Sequence, residues 1–304
     1  MSSEPTQGTS PLTAGRRGVL WMTVAVAGWA MVEIIGGLLE RPYSLFQVVW
    51  SRYAVHLLFM LVVVGRGAPG ALWRTRRLRY QVGRSMLMLG MPACFIFGLA
   101  GGAPAGAFLS VFWTSPLLIL VLARVLLRER ARVLLVAAAV AAFAGMVLLQ
   151  NPVASLSPSA VALALGMSFC FALYVVMTRS LRTEWTGTNL FYTALGPFLP
   201  LTAVMPFMWT TPDLHDALVL AAIGVVGLGS LYALDRSAAL APVSLTSPAQ
   251  YLQGVWTFAI VFALGAMPHL GRRIPVASAV IVAATCLTWW FDSRLLGTPD
   301  DSAS

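Results

Sequence analysis

One carboxylate stands alone in apolar sequence: Glu33, with Trp29 four residues before it. In the next apolar stretch Arg52 and His56 are also four apart. Residues at that spacing share a helix face, so a ring and a carboxylate are presented together, and a guanidinium and an imidazole together. Ionisable groups in such surroundings are costly and mark either function or pairing. Two readings of Glu33 follow. It is an anionic contact for a cationic or zwitterionic ligand, or a protonatable coupling group. Alternatively it forms a structural ion pair with Arg52, the usual remedy for a buried charge. Arg52 fits a structural role better than ligand contact. His56 reads as a hydrogen-bonded packing residue, since no second buried histidine accompanies it as a relay would need.

Two further marks are Thr114-Ser115-Pro116 and Thr246-Ser247-Pro248. Each puts a proline inside an apolar run, where the missing N–H frees the carbonyl four residues earlier. Those carbonyls belong to Phe112 and Ser244. Broken helices at membrane depth are tolerated where protein or a polar cavity takes over the bonding. Around the second mark, Ser244, Ser247, Pro248 and Tyr251 fall on one side of a helix, and Thr246 and Gln253 are placed to bond neighbouring helices. Aromatic rings lie deep in several runs (Trp29, Trp113, Tyr174, Tyr232, Tyr251 and Trp256) and offer faces to a planar ligand or a cation. Trp21, Trp209, Trp289 and Trp290 lie near run ends, as an interfacial belt requires.

The elements that position these groups are membrane-spanning helices. Of the residues, 59% are hydrophobic and 10% charged, far from the roughly one-quarter charged composition of soluble domains. Ten apolar runs are long enough to cross a bilayer, near 18–39, 44–64, 84–101, 103–126, 133–150, 158–178, 188–209, 217–235, 241–264 and 274–291. The net charge of +9 comes from arginines set between these runs, which argues against a nucleic-acid surface. With the N-terminus inside, sixteen arginines, Arg84 among them, fall in inner segments or their flanks. Three, Arg41, Arg272 and Arg273, fall outside. This asymmetry predicts N-in/C-in topology. Residues 1–15 read as a disordered cytoplasmic tail and 294–304 as a second tail.

Other chemistry finds little support. Cys94, Cys170 and Cys286 are solitary, and no metal-ligand set is present. There is no HExxH, no GxSxG and no paired aspartates, so neither an enzyme nor a cofactor is indicated. His215 and His269 fall in outer loops. Gly224 to Gly229 imitates a nucleotide loop, but no strand precedes it, and small-residue helix packing explains it.

The halves 16–150 and 151–293 echo each other. The Thr-Ser-Pro marks sit in the fourth helix of each, and Trp29-Ala30-Met31 is matched by Phe171-Ala172-Leu173. Five helices per unit would turn the second copy upside down, giving inverted repeats with a site between them. These residues resemble the drug/metabolite transporter superfamily in its EamA-like ten-helix branch, over about 18–293. Arg52, Pro116 and Glu129 look like family positions in the first half. In the second half the resemblance rests on Phe171 through Arg179, Tyr192-Thr193, Ala241-Pro242-Val243-Ser244, and Pro248 with Tyr251 and Trp256. Within the superfamily the look is nearest to S-adenosylmethionine and riboflavin importers. Two positions depart: Gly265-Ala266 replaces a glycine–acid pair, and Gly229-Ser230 a Gly-His.

The resemblance implies an all-α membrane protein of two inverted five-helix repeats, transporting a small metabolite across the cytoplasmic membrane by alternating access. It implies a substrate site drawn from Trp29, Glu33, Trp113, Pro116, Tyr174, Tyr232, Ser247, Pro248, Tyr251 and Trp256. Glu33, Arg52 and His56 form the structural or coupling group. The partners expected are the lipid bilayer and a planar, cationic or zwitterionic metabolite. A non-transporting membrane sensor or assembly subunit is the alternative, followed by an intramembrane enzyme.

Overall fold

The structure is a computed structural model describing residues 11–67, 70–150, 155–266 and 271–295, and among these it is helical throughout, without strands. In chain order, α1 spans Pro11–Gly36, α2 Leu45–Gly67, α3 Leu78–Ala100, α4 Ala105–Leu127, α5 Val133–Gln150, α6 Pro158–Ser180, α7 Thr186–Met208 and α8 Leu214–Leu240. The segment α9, 243–263, is divided, and α10 spans Arg273–Leu295. Nine of these, among the described residues, are long and apolar enough to cross a membrane, which makes this a multi-pass membrane protein by length and composition. The segment read as a ninth continuous run breaks into Val243–Thr246, a 3₁₀ stretch Ser247–Tyr251, and Leu252–Ala263. Pro242 and Pro248 explain the breaks, because neither supplies an N–H to the ladder.

Local chemistry sets the boundaries. Ser44 accepts from the Gln47 N–H at the start of α2, Ser157 caps α6 ahead of Pro158, and Asp213 caps α8. Two starts differ from the sequence expectation. The first helix begins at Pro11, inside the stretch assigned to the tail, whose residues 1–10 lie outside the described residues. The other is α3, which begins at Leu78 and so takes Arg84 into a helix.

Small residues bring the helices together. Along α1, a Cβ on Gly18 would overlap the Ala241 side chain, and one on Gly28 the Ser230 hydroxyl. The Ser237 hydroxyl reaches the Gly18 carbonyl at 2.8 Å, so α1 and α8 pack as a close pair. Equivalent close pairs are α3 with α6 and α5 with α10. Further contacts run between α2 and α7, α2 and α8, α3 and α7, α1 and α9, and α4 and α6. One core cluster holds Met22, Tyr53, Tyr174 and Leu231, and a second holds Phe108, Trp113, Met146 and Tyr251.

The chain runs up and down between two ends. At the arginine-rich end, Arg77 donates to the Ser180 carbonyl and Arg16 lies over the Trp289 ring. At the opposite end, the α1–α2 connection is tied to α8. The Tyr43 hydroxyl donates to Asp216 Oδ2 at 2.7 Å, the Glu40 N–H to Asp216 Oδ1 at 3.1 Å, and Arg41 pairs with Asp213 at 3.4 Å. His215, expected in a loop, lies in the first turn of α8 beside Asp216, because Asp213 starts the helix there.

Desolvation, the bond to Asp216 and the charge of that carboxylate push the Tyr43 hydroxyl up to about 12. Folding therefore favours the neutral phenol. That contribution is complete below the unfolded value of about 10 and is lost as pH rises through the folded value. In detergent, the wild type should be more stable than Tyr43→Phe near pH 8. The difference in Tm should shrink between about pH 10 and about pH 12. A pH-independent difference would remove this bond from the account.

Candidate functional site

A cavity of about 430 Å³ lies among α1, α2, α4, α5, α6, α8 and α9, with Met91 of α3 also on its wall. Glu33, Gln150 and Thr257 line it. These sit toward the end where α1 and α5 finish, away from the arginine-rich end.

Glu33 accepts from Gln253 Nε2 at 2.6 Å and from Thr257 Oγ1 at 3.2 Å, both on α9. Arg52 donates to the Tyr53 hydroxyl at 2.7 Å, and its guanidinium lies 5.3 Å from the Trp29 ring centre and 4.6 Å from that of Tyr53. No ion pair joins Glu33 to Arg52 among the described residues, which corrects the pairing reading. The physical reason is competition. Amide and hydroxyl donors from α9 occupy the carboxylate, while ring faces stabilise the guanidinium. A carboxylate and a guanidinium thus line one apolar cavity without neutralising each other.

The expected site residues divide. Trp29, Glu33 and Trp113 line the cavity, together with Arg52. Tyr251 is fully buried behind the wall, its ring tilted against Trp113 and its hydroxyl on the Trp113 carbonyl at 3.0 Å. Pro116, Ser247 and Pro248 are buried in the helix breaks and shape the wall from behind. Tyr174 lies elsewhere, under Arg84, with its hydroxyl 3.3 Å from Thr193. Tyr232 is 41% exposed and meets Trp21 edge-on, and Trp256 is 39% exposed. Neither lines the cavity; both sit on turns of α8 and α9 that face away from it. His56 is buried but off the cavity, its Nε2 without a partner.

The breaks behave as the proline positions require. The Phe112 carbonyl lies 3.1 Å from the Ser168 hydroxyl of α6, whose one proton it shares with the carbonyls of Ala164 at 2.9 Å and Val111 at 3.3 Å, and the Ser244 carbonyl accepts from Ser247 at 3.2 Å. Trp113, in the turn between the two parts of α4, has its carbonyl taken by Tyr251. Each half's broken helix is thereby braced: α4 by α6 and α9, and α9 within itself.

Gln250 and four methionines of the lining were not singled out from sequence. Gln250 is 2% exposed with both amide atoms unpartnered, and the indole nitrogens of Trp29 and Trp113 also lack partners. Unbonded buried groups cost about 1–3 kcal/mol each. Here they are polar capacity held beside the cavity. The four thioethers of Met22, Met91, Met146 and Met167 add an adaptable wall. The signal for Gln250 was its spacing of three from Gln253 inside an apolar run.

Two polar clusters seal the arginine-rich end. A π-turn over Ala123–Leu127 and a left-handed Arg128, φ 58°, return Glu129 against α6 and α9. Glu129 accepts from the Ser244 N–H at 3.0 Å and hydroxyl at 2.8 Å, and stands 3.6 Å from Arg179. Arg179 also donates to the carbonyls of Ala238 and Ala239, the last turn of α8. Arg84, expected at an inner flank, is 1% exposed and is bonded to Thr178, Gln81, Thr193 and the Asn189 carbonyl. Asn189 in turn donates to Asp235 at 3.0 Å. The arginine is buried because α3, α6 and α7 each supply acceptors for it.

No protein-family model matches the chain, and no curated protein matches it. Among 28 matching chains of solved structures is one described only as "Crystal structure of protein". It superposes with a TM-score of 0.79 at 20% identity, over 91% of this chain and 98% of that one, and so shares the fold.

Tyr251→Phe keeps the ring and removes the donor to the Trp113 carbonyl. It should destabilise the protein by about 1–3 kcal/mol, the cost of a buried unpaired group, read as a fall in the denaturation midpoint in detergent. An unchanged midpoint would mean that the carbonyl has another partner.

Proposed function

We propose that the chain is a secondary or facilitative transporter of a small metabolite, a member of the drug/metabolite transporter superfamily in its EamA-like ten-helix branch. In this reading two inverted five-helix repeats lie in a cytoplasmic membrane with both termini inside. The cavity receives the substrate near the midplane, and the bundles rock around it. A planar, cationic or zwitterionic compound fits aromatic walls that carry one carboxylate, hydrogen-bonded but not in an ion pair, and one separate guanidinium.

The observation that carries the proposal is this cavity, walled by helices of both halves and backed by the two Thr-Ser-Pro breaks. The helix pairing supports the duplication. Exchanging each helix of the first half for the one five places on turns α1–α8 into α6–α3, α3–α7 into α8–α2, and α1–α9 into α6–α4. The pairs α2–α7 and α5–α10 map onto themselves. The Glu129–Arg179–Ser244 cluster suits an inner closure that must break for the cavity to face the other side.

Counterflow in proteoliposomes tests the proposal: each candidate metabolite is preloaded and uptake of its labelled form is followed without an ion gradient. Accumulation of one compound is expected. Silence across a broad panel, from protein shown to be folded, would favour the sensor or subunit alternative. For Glu33→Gln, loss of proton-driven accumulation with retained counterflow is expected of a coupling carboxylate. Loss of both, with protein still in the membrane, would make Glu33 a substrate contact.

A further inference from the structure

A second concavity lies away from the central one, on the outer surface between α2, α7 and α8, with a volume of about 590 Å³. Its sides are mostly hydrocarbon, from Phe59, Met60, Val64, Leu190, Val225 and Leu228, with Thr186 and the expected site residue Tyr232 as polar groups among them. Two features open it. The wall on α2 is the π-turn Met60–Val64, where the helix swells by a residue. On α8 the floor is Gly229, beside which an added Cβ would meet nothing within 4 Å. At one end stand Arg236 and Trp185. Arg236 has no carboxylate within ion-pair distance among the described residues.

The length of the trough identifies its occupant. From Val225 to Arg236 along α8 is about 16 Å at the helical rise. That is about half of a 30 Å hydrocarbon core, the depth of one leaflet. The cation and the indole come at the arginine-rich end of α8, where a leaflet's headgroups would lie. Besides Arg236 and the Trp185 indole the walls offer only Thr186 and the Tyr232 hydroxyl, so a peptide or soluble metabolite would leave most of its polar groups unbonded. An acyl chain needs none, and an anionic headgroup is attracted by the guanidinium at a membrane surface.

We propose that this groove is a specific site for an anionic phospholipid, one acyl chain lying between α2 and α8 against Gly229 and the headgroup phosphate on Arg236. The site is separate from the central cavity, and its occupancy does not depend on the transport proposal.

The test uses the full chain in a mild detergent, with phosphatidylglycerol or phosphatidylcholine added, read by native mass spectrometry and thermal unfolding. Wild type should retain one phosphatidylglycerol in preference to phosphatidylcholine, and its Tm should rise by about 3 °C or more with the anionic lipid. Arg236→Gln should bind both lipids alike. Gly229→Leu, whose side chain enters open space, should lose the bound lipid of either kind while keeping the lipid-free Tm. Lipid adducts and Tm shifts unchanged in both variants would overturn the proposal. So would a wild-type dimer, independent of lipid, that Gly229→Leu dissociates, because a second copy would then fill the groove. Should Gly229→Leu fail to fold, the headgroup comparison between wild type and Arg236→Gln still decides.

Discussion

The arrangement depends on where the backbone carbonyls freed by Pro116 and Pro248 find donors. In a bilayer no water meets them, and an unbonded carbonyl is a standing penalty. The protein answers with side chains, Ser168 of α6 for Phe112 and Ser247 for Ser244, and Tyr251 of α9 serves the adjacent carbonyl of Trp113 in the same turn. The Ser168 and Tyr251 bonds hold α4 to α6 and α9 at the depth where α4 and α9 are interrupted. The cavity lies where it does because its wall is made of interrupted helices whose bonding has been completed from behind.

Around that wall the charges are kept apart. Glu33 is held by α9, and Arg52 by the rings of Trp29 and Tyr53. A direct ion pair between them would have neutralised the cavity and left it an apolar void. Separation keeps two opposite charges beside the unpartnered Gln250 amide and indole nitrogens. Toward the arginine-rich end the pattern reverses. There Glu129, Arg179, Arg84 and Asp235 are engaged with hydroxyls, amides and carbonyls. The cavity wall holds unpartnered polar groups beside its charges, and at the arginine-rich end only Arg84 Nε and Arg179 Nε, among the buried atoms of these cluster residues, lack a hydrogen-bond partner.

Much of the architecture was legible because it rests on one-dimensional signals. Apolar run length gave the helices, and proline gave the breaks together with the two carbonyls that need help. The four-residue spacing of Trp29 and Glu33 placed both on the cavity. What sequence could not supply was the partner across space. Arg84 looked like an inner-flank charge because its acceptors, Thr178, Asn189 and Thr193, come from helices read separately. Glu33 looked ready to pair with Arg52 because depth was inferred but rotation about the helix axis was not. Tyr232 and Trp256 went astray for the same reason: an aromatic in an apolar run is compatible with either face. Tyr251 was singled out as a contact and proved to be a brace, one layer behind the surface it shapes.

The Tyr251–Trp113 bond also has a meaning in time. The two residues are separated by 138 positions in the chain. At about 5–20 residues per second, the ribosome delivers Tyr251 on the order of ten seconds after Trp113. Throughout that interval the kink of α4 is without this donor, which comes from α9. The amino-terminal half is thus born incomplete, and its fourth helix reaches its final hydrogen bonding only when the carboxy-terminal half arrives beside it.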